Sequence, residues 1–416
     1  MSATTITALL IVACVCASVL ALWQGWSPPL IVSLGIGLGL RVLVVYLAKG
    51  HTPVDVATVF RHVAHAVLRR RDPLTTLPRY QWNFLPFSAY LLAFELKIGW
   101  PWQIAAKLLP VACDVVTIGL IGFFARPSAR DNARLLYALS PLGLLVSAWH
   151  GQIEPIAIML GLSALLLARR QHALWAGILL GFAVASKSWP LLFAPGVFRD
   201  IPRGRWWQTA LGAVAVLAAL LVSGPLLLHA SIRRDVATIL GYRSLVGVWG
   251  WTGILRYLHV AGLGFAGPHV DLFQHIGTLI TAATLVAVVL VFRRCSGPDL
   301  TVALLLAFLA VTAGFGAQYL LWPAALLYAS RRPAGYVYLF LASVYTAVFY
   351  LYALPRHEIA ASRPGAVLEV CSVALIIATV ASMPWSELRS DGVTGSLHHR
   401  RRHISSAPRS ASHDAA

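Results

Sequence analysis

Charge is what this chain has least of. Only 12% of its 416 residues are charged and fifteen are acids, about half the charged share of a water-soluble protein. A soluble domain is thereby excluded. Cysteine is also sparse: Cys14, Cys16, Cys113 and Cys371 lie in apolar runs and Cys295 in a short basic loop. None has disulfide or metal-site spacing, so all read as packing residues. The start, MSATTITALLIVACVCASVLALW, lacks the basic segment of a signal peptide and reads as a retained span. No inverted half-repeat is visible, which counts against a secondary transporter.

What is present is apolar length. Hydrophobic residues make up 58% of the chain and mean hydropathy is +0.74. Runs of roughly 18 or more apolar residues recur, too long for barrel strands, and in lipid only helices or closed barrels satisfy the backbone. The expectation is an all-α polytopic transmembrane bundle of about 11–13 segments. Candidate spans are 5–23, 30–48, 103–125, 134–149, 153–170, 173–187, 189–199, 207–228, 273–293, 299–316, 319–330, 335–353 and 366–386. Several are short enough to be half-spans. Residues 1–386 form the membrane domain, and 387–416, rich in Arg, His, Ser and Ala, read as a disordered basic cytoplasmic tail.

The net charge of +18 would point to nucleic acid in a soluble protein. Here the arginines sit in short turns, RPSARDNAR (126–134), ARRQH (168–172), RDIPRGR (199–205), FRRC (292–295) and SRR (330–332). Positive residues in such turns fix topology and meet lipid headgroups, so membrane lipids are the expected partners and no nucleic acid. These turns are expected on the cytoplasmic side of a cell membrane. The outer face then holds His51–Pro101, the turns at His150, Lys187 and Gln318, and the loops Ala230–Asp271 and Pro355–Pro364. Arg41 lies mid-span, where a charge requires a partner or an anchoring role.

The first outer loop begins HTPVDVATVFRHVAHAVLRRRDPL. Val56, Val59, Phe60, Val63 and Val67 make an apolar stripe opposite Thr58, Arg61, His62, His65 and Arg69. This predicts an amphipathic surface helix with its apolar face among headgroups. Asp55 has two compatible readings. In one it belongs to a helix cap with Thr52 and Pro53. In the other it is a general base at the bilayer edge, with Arg61 and its basic neighbours near an anionic lipid phosphate.

Asp55, the RRRDPL turn, Tyr80 and NFLPFSAYLL resemble the GT-C membrane glycosyltransferases. Within them the order of motifs is similar to the actinobacterial polyprenyl-phosphate-mannose-dependent mannosyltransferases and to GPI mannosyltransferase I. The series continues through KLLPVACDVVTIGL, LSPLGLLVSAWHGQIEPI, GILLGFAVASKSWPLLFAP and GAQYLLWP, covering about residues 35–330. It departs from the GPI enzyme in having PVDVA where that enzyme has DxD, and in lacking the Gly and Tyr of its "GxxPY" turn. No metal and no cofactor are therefore expected, since Arg and Lys can neutralise a single donor phosphate.

The resemblance implies roles for polar residues that also have ordinary structural readings. His150, Gln152 and Glu154 bind sugar, acceptor or phosphate, or simply cap a helix turn; Trp149 is a stacking platform. Lys187 meets the donor phosphate, or snorkels at a span end. Gln318 and Tyr319 contact donor sugar or acceptor, or form an interfacial aromatic turn. Arg243, in LGYRSLVGVWGWTGILRYL, aids phosphate binding, or belongs to interfacial packing. Together these imply an integral membrane hexosyltransferase, most of all a mannosyltransferase. It would use a polyprenyl-phosphate-sugar donor and a lipid-linked or glycan acceptor on the outer (periplasmic) face. A flippase or transporter of lipid-linked substrates, without catalysis, is the competing class. It predicts tolerance to loss of Asp55 and a charged mid-membrane path. A scaffolding protein predicts no pocket beneath the outer loops.

Overall fold

The computed structural model describes residues 1–75, 77, 82, 84–240, 245–246, 249–257, 270–354 and 363–388. Helices dominate. The first are α1 (Ala3–Gln24), α2 (Leu30–Leu47), α3 (Arg61–Leu68), α4 (Pro86–Lys97), α5 (Trp102–Ala105) and α6 (Leu108–Ile121). Next come α7 (Arg130–Ala138), α8 (Pro141–Gly143), α9 (Glu154–Arg169), α10 (Ala173–Ser186), α11 (Ala194–Asp200) and α12 (Trp206–Leu228). The remainder are α13 (Ile232–Leu240), α14 (Gly250–Tyr257), α15 (Val270–Val291), α16 (Gly297–Val311), α17 (Ala324–Ser330), α18 (Pro333–Val348) and α19 (Arg363–Ala381). One two-residue pairing, Leu245–Val246 antiparallel to Gly314–Phe315, is the described strand structure.

Seven helical stretches among the described residues are long and apolar enough to cross a membrane, and α10 and α16 are shorter apolar helices. The remaining helices among the described residues are shorter or less apolar, and α7 and α8 follow one another with only Leu139 and Ser140 between them. The tail beyond Leu388, and with it the expected disorder, lies outside the described residues.

Peripheral helices turn large apolar side chains outward. Leu9, Val12, Val214, Leu226, Leu279 and Val286 are each more than half exposed, a surface that only lipid solvates well. The centre is formed by α7, α9, α16, α17 and α18, whose Leu, Ala and Tyr side chains are buried in one continuous core. Where α10 crosses α12, small residues bring backbones into contact. A Cβ on Gly177 would lie 2.1 Å from the Thr209 carbonyl oxygen, so no larger residue fits this crossing.

Arg41 has the partner its depth requires. Its Nε donates to Asp114 Oδ2 at 2.8 Å, and Nη1 donates to the carbonyls of Gly37 and Ala138. Tyr137 and Ser147 hydroxyls also donate to Asp114, at 2.6 and 2.9 Å. Both charged side chains are fully buried. The pair therefore acts as a clamp between α2, α6 and the segment after α8, rather than as part of an ion path.

The Arg-rich turns gather at one pole. Arg169 donates to Phe123 O, Gln171 to Asp200 O, Arg199 to Cys295 O, and Arg332 pairs with Asp299 at 2.7 Å. Asn132 in the same set donates to Trp26 O, beside the start of α2. Since α2 runs from there to Leu47, just before Asp55, the aspartate lies at the opposite pole.

One expectation needs correction. The helix after Asp55 forms, and its Arg61, His62, His65 and Arg69 are exposed. Its apolar stripe, however, does not face headgroups. Val56, Phe60 and Val63 are buried against Trp82, Ala89, Leu92, Trp102 and Ala105. Trp102 Nε1 donates to Val56 O at 2.8 Å. Burying those side chains against protein leaves only the polar stripe to meet the bilayer surface.

Candidate active site

Among the described residues, the helical path widens into π turns at Asp55–Phe60, Leu144–His150 and Phe349–Ala353. A π turn inserts one residue and rotates side chains off regular helical register, and such turns are frequent at functional sites. Each of these carries one member of a single cluster: Asp55, His150 and Tyr350.

The cluster centres on the Asp55 carboxylate. Val56 N–H donates to Oδ1 at 3.0 Å, and Gln152 Nε2 donates to Oδ2 at 2.6 Å. His150 Nε2 lies 3.1 Å from both carboxylate oxygens and 2.7 Å from Gln152 Nε2. The histidine contact is a hydrogen bond only with a proton on Nε2, so His150 serves as donor. Its carboxylate accepts a backbone N–H at a helix start, and it is also bound by side chains 95 and 97 residues away. Val54, rather than Thr52, occupies the cap position.

Gly151 makes this convergence possible. Its φ of +85° reverses the chain between His150 and Gln152, letting both side chains reach one carboxylate. A Cβ there would also meet Lys107 Cγ at 3.0 Å.

The electrostatics favour an ionised acid. Burial by itself would raise the Asp55 pKa. The charge and hydrogen bond of His150, the Val56 N–H and the Gln152 amide outweigh it, holding the carboxyl below its ordinary value. The Asp55 side chain keeps 41% of its surface exposed while His150 keeps 5%. An incoming hydroxyl can therefore reach the acid while the imidazole stays enclosed.

A cavity of about 240 Å³ lies alongside, lined by His51, Thr52, Pro53, Trp149, His150 and Tyr350 among others. Trp149 forms its wall as an edge-on partner of His51. Tyr350 packs on the His150 ring at 4.6 Å, and its hydroxyl donates to Gln318 Oε1 at 3.4 Å. Glu154 and Lys187 form an ion pair in which Glu154 is fully buried. Lys187 is thus not the freely snorkelling cation of the sequence reading. Tyr319 falls in a neighbouring cavity that Lys187 also lines.

Six of the nine predicted residues are therefore linked: Asp55, His150 and Gln152 directly, Gln318 through Tyr350, and Glu154 with Lys187. Arg61 is exposed on α3. There, modest burial together with Arg61, Arg69 and His62 lowers the pKa of His65, marking an electropositive face. Arg243 and Tyr80 lie outside the described residues. Two residues were missed: Tyr350, a member of the cluster, and Lys107, which packs beside Gly151. Tyr350 sits in an apolar run without a polar signal. Lys107, 1% exposed with Nζ lacking a hydrogen-bond partner, is an isolated basic residue before an apolar stretch.

Membrane-length helices and an acid–imidazole–amide cluster define a polytopic membrane protein with a built polar site at one pole. The family model described as Glycosyltransferase family 87 matches residues 82–321, more than half of the chain. The chain belongs to that family, and is a membrane glycosyltransferase. The matched segment contains His150, Gln152, Glu154, Lys187, Gln318 and Tyr319, and begins after Asp55. No curated protein matches the chain.

Proposed function

We propose that this protein transfers a hexose, most of all mannose, from a polyprenyl-phosphate donor to a lipid-linked or glycan hydroxyl. The reaction takes place on the outer face of the cell membrane, with the Arg-rich pole and the C-terminus cytoplasmic. One observation carries the reading: a reachable carboxylate held by His150 and Gln152 beside an aromatic-walled cavity.

The chemistry is a direct displacement. The acceptor oxygen attacks the anomeric carbon and its proton passes to Asp55. The bond from that carbon to the phosphate oxygen breaks, and its electron pair leaves with the polyprenyl phosphate. Attack opposite the leaving group inverts the anomeric configuration. His150 and Gln152 keep the carboxylate charged and aimed, which preorganises it for proton removal. Trp149 offers the face on which a sugar ring stacks.

A flippase needs no such cluster, and the mid-span charges Arg41 and Asp114 are paired with one another. The separating experiment uses purified protein in liposomes with radiolabelled polyprenyl-phosphate mannose and a lipid-linked acceptor. A transferase yields labelled acceptor of inverted anomeric configuration. Movement of intact donor between leaflets, with no new glycosidic bond, would refute the reading.

A further inference from the structure

Asp55 and the His150–Gln152 pair sit on two separate turns, and one short stretch of chain touches both. Trp102, which opens α5 and is 5% exposed, donates from Nε1 to Val56 O at 2.8 Å. The same Val56 gives its N–H to Asp55 Oδ1. The break between α5 and α6 meets the other turn. A Cβ on Gly151 would lie 3.4 Å from Ala106 O and 3.0 Å from Lys107 Cγ. Lys107 is 1% exposed and its Nζ has no hydrogen-bond partner, so what it offers Gly151 is its aliphatic stem.

The break is itself fixed from outside. The first N–H groups of a helix have no acceptor within it, and Lys107, at the cap of α6, makes no side-chain bond to them. Glu95 of α4, also 1% exposed, supplies one: its Oε1 accepts the Leu109 N–H at 3.0 Å. Ala105 and Ala106 pack in one apolar cluster with Val56 and Phe60 from the first turn and Ile153 and Ile156 after the second. Regular helical geometry fixes neither turn, because Asp55 and His150 both lie in π turns. The 3.1 Å between His150 Nε2 and the carboxylate therefore depends on what both turns rest against. A displacement of about 1 Å at a reacting group costs on the order of 10²-fold in rate.

We propose that Trp102 and Glu95 are positioning residues for the transfer: the α5–α6 junction holds Val56 and Gly151 together, and thereby sets the Asp55 carboxylate against His150 and Gln152. Neither residue touches substrate. In naming what is positioned, this rests on the transferase reading.

The test follows the Asp55 carboxyl stretch by infrared spectroscopy as pH falls, in full-length protein in nanodiscs, the band being assigned by its loss in Asp55→Asn. His150, Gln152 and the Val56 N–H hold this carboxyl below its ordinary value, so a loosened junction lets it protonate at higher pH. Trp102→Phe keeps the ring and deletes the bond to Val56 O. It should move the band up by about one pH unit, the scale of one hydrogen bond to a charged group. Glu95→Leu should act alike, and Glu95→Gln, which keeps an acceptor oxygen, should restore the wild-type titration. Trp249→Phe deletes a similar buried bond, Nε1 to Leu309 O at 2.7 Å, in the other apolar cluster, and should leave the band in place. In transfer assays Trp102→Phe should lower kcat roughly tenfold at unchanged KM, and should add nothing to Asp55→Asn. A band that stays at its wild-type pH in both Trp102→Phe and Glu95→Leu, or one that moves as far in Trp249→Phe, overturns the assignment even where sugar transfer is demonstrated. A band that moves in Trp102→Phe alone of the two tryptophan variants, in a protein that transfers no sugar, keeps the positioning junction and discards only the transferase reading.

Discussion

Replacing Asp114 by alanine leaves the Arg41 guanidinium fully buried without its counter-ion, and takes an acceptor from Tyr137 and Ser147. Breaking a buried pair from one side costs about 3–5 kcal/mol. The lost hydroxyl contacts belong to the same network and are not added separately. For 416 residues, an unfolding entropy of about 2 cal/mol/K per residue gives roughly 0.9 kcal/mol/K, so the midpoint should fall by about 3–6 °C. The assay is thermal unfolding in one detergent, followed by intrinsic fluorescence. The double variant Arg41→Met with Asp114→Leu removes both charges at similar volume and should regain most of the loss. A double variant that falls as far as the single one, or a single variant with an unchanged midpoint, would refute the clamp.

Two further outcomes concern pH. The Asp55 carboxyl is held below its ordinary value partly by His150, so the proposed base stays ionised into the acid range. His150→Gln removes that charge and should move the acid limb of the kcat/KM profile to higher pH; an unmoved limb would separate His150 from the base. Asp235 behaves oppositely. Burial, and next the charge of Asp72, raise its pKa to about 6 against the pull of Arg234, which also bridges to Asp72 at 3.1 Å. Folding then favours protonated Asp235. Its stabilising effect is complete below about pH 4 and is lost as pH rises to about 6. Asp235→Asn should therefore raise the unfolding midpoint at pH 8 and leave it unchanged at pH 4. Equal effects at both values would contradict the linkage.

The spans were legible because lipid imposes one rule on every helix crossing it, and 30–48, 207–228 and 335–353 return nearly unchanged as α2, α12 and α18 with its π turn. Asp55, His150 and Gln152 were legible because a polar residue at a span end needs a reason. What was hidden were relations across sequence distance. Lys187 reads as a lone cation until Glu154, 33 residues earlier, is seen to neutralise it. The amphipathic stripe of α3 fixes which face is apolar but not whether lipid or Trp102 covers it. Tyr350 escaped because a π turn breaks the 3.6-residue period by which faces are assigned. Arg41 announced a partner, yet only packing reveals it as Asp114.

The most direct measurement is the rate of mannosyl transfer by Asp55→Asn in proteoliposomes, under saturating polyprenyl-phosphate mannose. If Asp55 takes the acceptor proton, the near-isosteric amide should lower kcat by roughly 10²–10⁴ while the protein stays folded and still binds polyprenyl monophosphate. Transfer at the wild-type rate would contradict the role given to this carboxylate and the catalytic mechanism built on it.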